Sequence, residues 1–264
     1  MRTGTRLDPI LAAVRSRLEE RRGLATTNDL RRELDPDPGA RERFVEALRT
    51  PGLAFIAECK RRSPSAGRLT AEGDLAARAS AYARGGASAL SVLTEEDHFQ
   101  GSAADLQRVA ASGLPRLRKD FLLDEWMVLE SVQMGAEAVL LLAVCVPDPQ
   151  LAELCAVAHE VGLAVLLEVH NEDELERALA ADPDCIGVNA RDLKTFHVDL
   201  ATVERLLPLV PEGVVRVAES GLQTTADIAR VRAAGADAAL IGEALMRAPD
   251  PAARLREWKA ALGG

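Results

Sequence analysis

The sequence has few aromatic residues and no long hydrophobic segment. Phe, Trp and Tyr make up only 3% of the 264 residues, whereas 48% of the residues are hydrophobic, so any core must be filled mainly by alanine, valine and leucine. The longest apolar run, residues 138–146, has about half the length of a membrane-spanning helix. The first 50 residues carry charges of both signs and lack the apolar core of a signal peptide, so we expect a soluble, cytoplasmic protein.

An excess of positive charge and a metal-type cysteine pattern are also missing. The formal net charge is −9, and a net-acidic chain has no general attraction for nucleic acid or anionic membrane surfaces. The four cysteines form no CxxC pair, which predicts reduced thiols, and the four histidines form no HExxH motif. We therefore predict no metal, no cofactor and no nucleic-acid or membrane partner; an anionic ligand requires a local basic site.

What the sequence does contain is a strand-and-helix pattern that occurs eight times. In each repeat a turn residue precedes a short apolar run, which ends in polar residues before a helical stretch. The runs are LAFIAECK, ASALSVLTE, LPRLRKDF, AEAVLLLAV, LAVLLEVH, CIGVNARD, VVRVAESG and ADAALIGEAL. Apolar strands that alternate with helices predict a parallel sheet covered by helices.

The number of units favours a closed barrel. Six units would suit an open doubly wound sheet, whereas eight suit a barrel, and no dinucleotide GxGxxG motif or P-loop follows any run. Residues 1–50 lie outside the eight units and have the pattern of two or three further helices, with no linker that separates them. We predict an α/β fold: a single (β/α)8 TIM-barrel domain over residues 1–264, in which residues 1–50 form an N-terminal helical extension.

Two of the predicted helices begin with recognisable capping residues. Asn171 precedes Glu174 by three positions in NEDELERALAA, which is a variant of the capping box. Asp148 precedes Pro149 in DPQLAELCAVAHEVG, which predicts Asp148 as the N-cap and Pro149 as the first helical residue. Both patterns support helices between the apolar runs.

Charged and amide side chains recur at the carboxyl ends of the predicted strands. Successive strand residues alternate between the barrel interior and the helix layer. By this alternation the following residues face the interior: Glu58, Lys60, Lys119, Glu168, Asn189 and Glu219. Barrel enzymes build their active sites at this end, and buried charges need mutual pairing or a function. The alternative is that these residues simply reach solvent at the strand ends.

Two glycines, Gly221 and Gly242, directly follow the last two strands. A phosphate group commonly lies between these two loops of a barrel, where backbone N–H groups bind it and glycine allows close approach. Ser220 and Ser63 would add hydroxyl donors, and the carboxylate of Glu243 would have to point away from the phosphate. Ordinary turn glycines are the alternative interpretation.

Seven segments occur in the order expected for one enzyme family. They are AECKRRSPSAG, SVLTEEDHFQGS, LRKDFLLDEWMV, LLEVHNEDELERAL, IGVNARDL, VAESGLQTTADI and ALIGEALMR. Together they resemble the indole-3-glycerol phosphate synthases of tryptophan biosynthesis, from about residue 50 to residue 250 and with a similar N-terminal extension. The resemblance implies a carbon–carbon lyase that closes the pyrrole ring of 1-(2-carboxyphenylamino)-1-deoxyribulose 5-phosphate, with loss of CO2 and water.

The resemblance also implies roles for the residues that match the family's motifs. Lys119 resembles the general acid that protonates the substrate carbonyl, and Glu168 resembles the base of the later dehydration. Glu58, Lys60 and Asn189 resemble groups that orient the substrate carboxylate and the developing hydroxyl. Two further active-site positions are matched by Glu219 and Ser220. The phosphate site is matched by Ser63, Gly221, Gly242 and the adjacent Glu243. The pocket for the aromatic ring is matched by Phe121, Leu140, Arg191 and Leu193. The Ser63-Pro64-Ser65 segment is expected to fold over the ligand.

The same residues allow other interpretations. A lysine at a strand end also suits a Schiff-base aldolase that acts on a sugar phosphate. A phosphosugar isomerase is less favoured, because the first strand has no inward-facing Cys–Asp pair, and a non-enzymatic sensor would not need five inward charges. Within the synthase interpretation we expect Lys119 to act first and Lys60 to assist or bind, because Lys119 faces Glu168 from only two strands away.

Overall fold

Three helices precede the barrel in the part of the chain that the structure describes. The computed structural model of the protein describes residues 3–63, 67–68 and 75–263. The three helices are α1 (Asp8–Leu24), α2 (Thr27–Glu33) and α3 (Ala40–Leu48). They confirm the predicted N-terminal helical extension.

Within the described residues, eight parallel strands form a closed barrel, and a short antiparallel pair lies outside it. In chain order the strands are β1 (Ala54–Cys59), β2 (Arg62–Ser63), β3 (Gly67–Arg68), β4 (Ala89–Leu93), β5 (Arg116–Lys119), β6 (Ala138–Leu142), β7 (Ala164–Val169), β8 (Cys185–Asn189), β9 (Val215–Glu219) and β10 (Ala238–Ile241). β2 pairs with β3, whereas the other eight run in the order β1-β10-β9-β8-β7-β6-β5-β4, and β4 pairs with β1 to close the ring. The predicted (β/α)8 barrel is confirmed.

Helices connect the strands and cover the barrel. In chain order they are α4 (Leu75–Gly85), α5 (Ala103–Arg108), α6 (Glu125–Gln133), α7 (Asp148–Glu160), α8 (Glu172–Leu179), α9 (Leu200–Leu206), α10 (Thr225–Ala233), α11 (Glu243–Arg247) and α12 (Pro251–Ala261). Strands β1, β4, β6, β7, β8 and β10 are buried at every position. This burial follows from the apolar runs, because a parallel strand has neighbours on both faces.

The two predicted helix caps differ in outcome. Asn171 Oδ1 accepts the backbone N–H of Glu174 at 2.9 Å, as the capping pattern predicts. The Glu174 carboxylate, however, accepts the backbone N–H of His170 at 2.8 Å. The prediction for α7 was wrong by one residue: the helix begins at Asp148 itself, whose carboxylate pairs with Arg177 and makes no capping bond.

The N-terminal helices contact both ends of the barrel. α3 packs against β1, β4, β6 and β7, with Phe44 fully buried. Arg41 Nε lies 2.8 Å from Oδ1 of Asp184, directly before β8. At the other end, Leu7 and Ile10 line the cavity at the carboxyl ends of the strands. Because loss of a buried phenylalanine side chain typically costs about 3–5 kcal/mol, α3 stabilises the barrel; that residues 1–264 fold as one domain stays a prediction.

The cysteines lie within the packed interior. All four are buried and have free thiols. Burial raises the pKa of the Cys59 and Cys145 thiols to about 12, so both are neutral near pH 7. Within the described ranges, no helix combines the length and the apolar character needed to cross a membrane.

Candidate active site

A cavity of about 330 Å³ opens at the carboxyl ends of the barrel strands. The charged and amide residues that strand alternation placed in the interior all line it: Glu58, Lys60, Lys119, Glu168, Asn189 and Glu219. Strand register brings them to a similar height, since Asn189 lies opposite Glu219 and Glu168 lies opposite Gly187. The five ionisable groups therefore converge in one cavity.

The Lys119 ammonium lies between two carboxyl groups. Its Nζ is 3.3 Å from Oε2 of Glu168 and 3.7 Å from Oε2 of Glu219. Lys119 ends β5, whereas Glu168 and Glu219 belong to β7 and β9. Only closure of the barrel brings these three strand ends together around one point.

Glu168 has partners on both of its oxygens. Asn189 Nδ2 donates a hydrogen bond of 2.9 Å to Oε1, and Nε2 of His170 lies 3.3 Å from the same oxygen. Lys119 contacts Oε2. Because Glu168 is only 2% exposed, these side chains rather than solvent set the orientation of its carboxylate.

Glu219 is buried beside a glycine. A Cβ atom on Gly187 would lie 2.0 Å from Oε1 of Glu219. That oxygen is buried and has no hydrogen-bond partner among the described residues. A glycine inside a strand often marks the close approach of another group. Gly187 is therefore the residue that lets the Glu219 carboxyl lie against β8.

Glu58 and Lys60 form an ion pair at the end of β1, in which Nζ of Lys60 donates to Oε1 of Glu58. A Cβ atom on Gly242 would lie 2.2 Å from Oε1 of Glu58 and 2.8 Å from Nζ of Lys60. The sequence predicted Gly242 as a glycine of the phosphate loop, with an ordinary turn glycine as the alternative. The structure shows that this glycine also makes room for the ion pair.

The pKa values of the central groups separate proton donors from an acceptor. Burial by itself lowers the pKa of Lys119, but the charges of Glu168 and Glu219 outweigh burial and raise it. Burial by itself raises the pKa of Glu168, yet Lys119 and His170 reverse the shift and hold it well below its usual value. Burial and the charge of Glu168 raise the pKa of Glu219 to about 8. The free site therefore favours the ammonium form of Lys119, the carboxylate form of Glu168 and the protonated form of Glu219.

The loops after β9 and β10 border another side of the cavity. Ser220 and Gly221 have φ angles of 65° and 75°, a conformation that glycine adopts freely and that costs other residues roughly 1–2 kcal/mol. Both line the cavity together with Gly242 and Glu243. The Glu243 carboxylate accepts a hydrogen bond from Nε of Arg247 at 2.9 Å, so it is paired with a residue of its own helix, α11.

An apolar wall lies next to the charged groups. The residues matched to the ring pocket all line the cavity: Phe121, Leu140, Arg191 and Leu193. Phe99 adds a second aromatic ring, whose centroid is 6.3 Å from that of Phe121. Apolar walls with a few convergent polar groups are typical of sites for small organic ligands.

Ser63 is the one predicted site residue whose side chain is not placed. It belongs to β2, but its side chain and residues 64–66 and 69–74 lie outside the described part of the chain. The expected hydroxyl donor at Ser63, and the expected folding of Ser63-Pro64-Ser65 over a ligand, both stay predictions.

Sequence reasoning missed several groups at the cavity. Phe99 and Phe196 line it from loops after strands, and their rarity in a chain with five phenylalanines was an available signal. Leu7 and Ile10 left no signal, because helical periodicity does not say which end of the barrel α1 reaches. His170 does not line the cavity itself but lies 3.3 Å from Glu168, which does. Its position two residues after Glu168 was an available signal, because strand alternation places the two side chains on one side.

A closed parallel barrel with ionisable groups at the carboxyl ends of its strands defines an enzyme of the (β/α)8-barrel class. Among the described side chains, no group of three or more His, Cys, Asp and Glu residues is arranged to hold a metal ion. Residues 7–258 match the family model of indole-3-glycerol phosphate synthase, and the chain belongs to this family.

Relatives of the chain carry the same name. The indole-3-glycerol phosphate synthase of Paenarthrobacter aurescens is 44% identical over 263 residues, which cover 97% of this chain and 96% of that protein. Those of Nocardioides sp. and Dehalococcoides mccartyi are 46% and 48% identical, and they cover 95% and 78% of this chain. The matched parts make up 96% and 81% of those two proteins.

Solved structures of lower identity share the fold. Thiamine phosphate pyrophosphorylase from Pyrococcus furiosus has a TM-score of 0.61 and 16% identity, over 81% of this chain and 97% of that one. Orotidine 5'-phosphate decarboxylase from Pyrococcus horikoshii has a TM-score of 0.60 and 14% identity, over 80% and 99%. At such identities the likeness shows the barrel fold alone.

Proposed function

We propose that the protein catalyses the indole-3-glycerol phosphate synthase reaction. It closes the pyrrole ring of 1-(2-carboxyphenylamino)-1-deoxyribulose 5-phosphate and releases CO2 and water. The observation that carries this proposal is the Lys119 ammonium, 3.3 Å from the Glu168 carboxylate, in the cavity of a chain that belongs to the family. Family membership favours the synthase over the aldolase and isomerase alternatives.

Lys119 serves the ring-closing step. It donates a proton to the substrate carbonyl oxygen while the aryl carbon attacks the carbonyl carbon, so that a hydroxyl forms instead of a free alkoxide. The raised pKa of Lys119 keeps the donor charged before this step. A positioned general acid typically accelerates a reaction by about 10²–10⁴-fold. The substrate carboxylate then leaves as CO2, and the electron pair of the broken C–C bond returns to the ring system.

Glu168 serves the dehydration. It takes a proton from carbon while the new hydroxyl leaves as water, and the electron pair of the C–H bond forms the double bond of the pyrrole. The lowered pKa of Glu168 means that the free enzyme already presents the carboxylate form that can accept this proton. Lys60, which keeps its proton during ring closure, can protonate the departing hydroxyl.

The remaining cavity residues position the substrate. Backbone N–H groups around Ser220, Gly221 and Gly242 bind the phosphate, and the apolar wall packs against the aromatic ring. Because the phosphate does not react, its binding energy is available to hold the open chain in a ring-closing geometry. Glu58 and Lys60, with the amide of Asn189, orient the substrate carboxylate and the developing hydroxyl.

The direct test is to add the carboxyphenylamino-deoxyribulose phosphate to the purified protein without added metal. Indole fluorescence should appear, and a folded protein that gives no signal would contradict the proposal. Borohydride added during turnover should trap no covalent adduct. A trapped adduct at a lysine would instead favour the aldolase alternative.

The division of labour between the two lysines has its own test. In single-turnover experiments, Lys119→Ala should lose more rate than Lys60→Ala in the first, ring-closing phase, because Lys119 donates the first proton. The expected loss for Lys119→Ala is about 10²–10⁴-fold. An equal loss in that phase for both variants would refute the order of action.

The location and partners of the protein stay predictions. We expect a cytoplasmic enzyme whose partner is a phosphorylated small molecule, without nucleic-acid or membrane partners. Fractionation of cells that express the chain would check the location. A mobility assay at low salt would check binding to nucleic acid, which a net charge of −9 disfavours.

A further inference from the structure

His170 is a buried titratable group to which the proposed mechanism gives no task. Its side chain is only 11% exposed and lies directly after β7, two residues beyond Glu168. Because strand side chains alternate, the two residues lie on the same side of the strand. Nε2 of His170 is 3.3 Å from Oε1 of Glu168, within ion-pair distance although the two groups are not aligned as a hydrogen bond.

Glu174 holds the other nitrogen of His170. Nδ1 of His170 is 3.0 Å from Oε2 of Glu174, and the same oxygen accepts the backbone N–H of His170 at 2.8 Å. Asn171 Nδ2 donates to the second oxygen of Glu174 at 2.9 Å. Glu168, His170 and Glu174 therefore form a continuous carboxylate–imidazole–carboxylate chain from the cavity to the first turn of α8.

An imidazole between two carboxylates is held in its charged form. Burial by itself lowers the pKa of His170, but Glu168 and Glu174 outweigh burial and raise it to about 10. Two charged or titratable groups from neighbouring strands act on Glu168, Lys119 on β5 and Glu219 on β9. Cys145, after β6, interacts with both Glu168 and Glu174, and Asp8 and Arg15 on α1 act on Cys145.

We infer, resting on the proposed function, that His170 is a positioning residue for the base Glu168: fixed by Glu174, its imidazolium keeps the Glu168 carboxylate oriented and ionised. The need for a second cation follows from the order of steps. When Lys119 gives its proton to the substrate it becomes neutral and no longer stabilises the charge on Glu168. His170 takes no part in that transfer, so Glu168 enters the dehydration with one fixed cation still beside it.

The pH profile of kcat tests this role. His170→Asn removes the charge but keeps a polar side chain. An opposite charge within about 4–6 Å typically lowers a carboxyl pKa by about one to three units, so the acid limb of kcat should move upward by about one pH unit or more. An acid limb that coincides with that of the wild type would overturn the inference.

His159→Asn is the matched control. His159 is also partly buried and lies 3.1 Å from a carboxylate, Asp184, but Asp184 does not line the cavity, whereas Glu168 does. The acid limb of the kcat profile of His159→Asn should coincide with that of the wild type. An equal shift in both variants would show that loss of any buried histidine has the effect, and would overturn the specific role of His170.

A titration followed by NMR needs no turnover. The imidazole of His170, identified by its loss in His170→Asn, should titrate near pH 10 in the wild type. In Glu174→Gln its pKa should fall by about one unit or more. A wild-type titration near the ordinary value of 6.5 would overturn the chain of charges.

The two experiments separate this inference from the proposed function. If the wild type fails to turn over the substrate, the proposed function fails, while the NMR titration still decides whether the chain exists. If the wild type is active and His170→Asn leaves the acid limb in place, only the role of His170 fails.

Discussion

Two groups of buried charges flank β5, and they differ in how completely their members are paired. The cavity cluster faces the barrel interior and consists of Glu58, Lys60, Lys119, Glu168 and Glu219. The arginine cluster is centred on Arg118, which contacts α6 in the helix layer, and consists of Arg118, Asp120, Glu130, Thr94 and Ser131. Of these residues, Asp120 also lines the cavity. Adjacent residues of one strand, Arg118 and Lys119, thus contribute to opposite sides.

The arginine cluster satisfies its central charge. Arg118 is 1% exposed and lies 3.1 Å from Oδ2 of Asp120 and 3.0 Å from Oε2 of Glu130. Its other N–H groups donate to Thr94 Oγ1 at 3.2 Å and to the backbone oxygen of Met127 at 3.0 Å. Such complete pairing rigidifies a structure and holds α6 against the barrel.

The cavity cluster is incompletely paired. Three carboxyl groups share two ammonium groups, and Oε1 of Glu219 has no partner in the described part of the chain. The imbalance shifts pKa values in opposite directions, so that Glu168 and Glu219 differ in protonation at one pH. The comparison shows two uses of buried charge. Charged groups with complete pairing stabilise the fold, whereas incompletely paired groups acquire the shifted pKa values that catalysis needs.

The largest expected effect on stability lies in the arginine cluster. Arg118→Met should lower the free energy of unfolding by about 3–5 kcal/mol, because it leaves Asp120 without its buried partner. Urea unfolding measures the loss. Arg230→Met is the control, since Arg230 pairs with Glu204 on the surface at 2.9 Å, and it should cost less than about 1 kcal/mol. Equal losses of unfolding free energy in the two variants would contradict the expected difference between buried and surface ion pairs.

In the cavity cluster, a single added methyl group should reduce activity. Gly187→Ala places Cβ 2.0 Å from Oε1 of Glu219 and must displace that carboxyl, so kcat/KM should fall on the order of 10²-fold. Steady-state kinetics measures this change. Gly23→Ala, whose Cβ meets nothing within 4 Å, should leave kcat/KM unchanged. Wild-type activity in Gly187→Ala would show that the position of Glu219 does not matter.

The protonation of Glu219 should appear in the pH dependence of stability. Folded Glu219 keeps its proton up to about pH 8, whereas the unfolded side chain releases it near pH 4.5, so stability contributed by this group is lost as pH rises between these values. Glu219→Gln removes this loss. From pH 5 to pH 8 the wild type should lose more unfolding free energy than the variant, by at least about 1.4 kcal/mol, which corresponds to one pKa unit. Parallel curves of unfolding free energy against pH for the two proteins would show that the pKa of Glu219 is not raised.

The smallest expected effect concerns the rim of the cavity. Arg247→Ala releases the Glu243 carboxylate beside the proposed phosphate site, so KM should rise, but by no more than about fivefold because the pair is exposed. The value of kcat should stay unchanged. Arg254→Ala, which breaks a similar pair with Glu257 on α12, should change neither constant. A fall in KM for Arg247→Ala would show that Arg247 opposes binding of the phosphate.

Much of the site was predictable because strand alternation is a local property. Glu58, Lys119 and Glu168 were placed on the cavity side by counting positions along each apolar run, and all three line the cavity. Two other findings needed the assembled barrel. The partner of the His170 imidazole depends on the side-chain direction of Glu174, and the contact of Gly242 with Glu58 joins the last barrel strand to the first.

The order of apolar runs, helices and turn glycines was sufficient for the eightfold barrel, because periods of two and of about 3.6 residues follow from the local geometry of each element. The family of the chain was likewise readable from its motifs. Which charge lies beside which, and hence which carboxyl is ionised, emerged only on closure of the ring. Distances such as that of 3.3 Å between Lys119 and Glu168 join residues far apart in the chain, and burial sets the strength of their interaction.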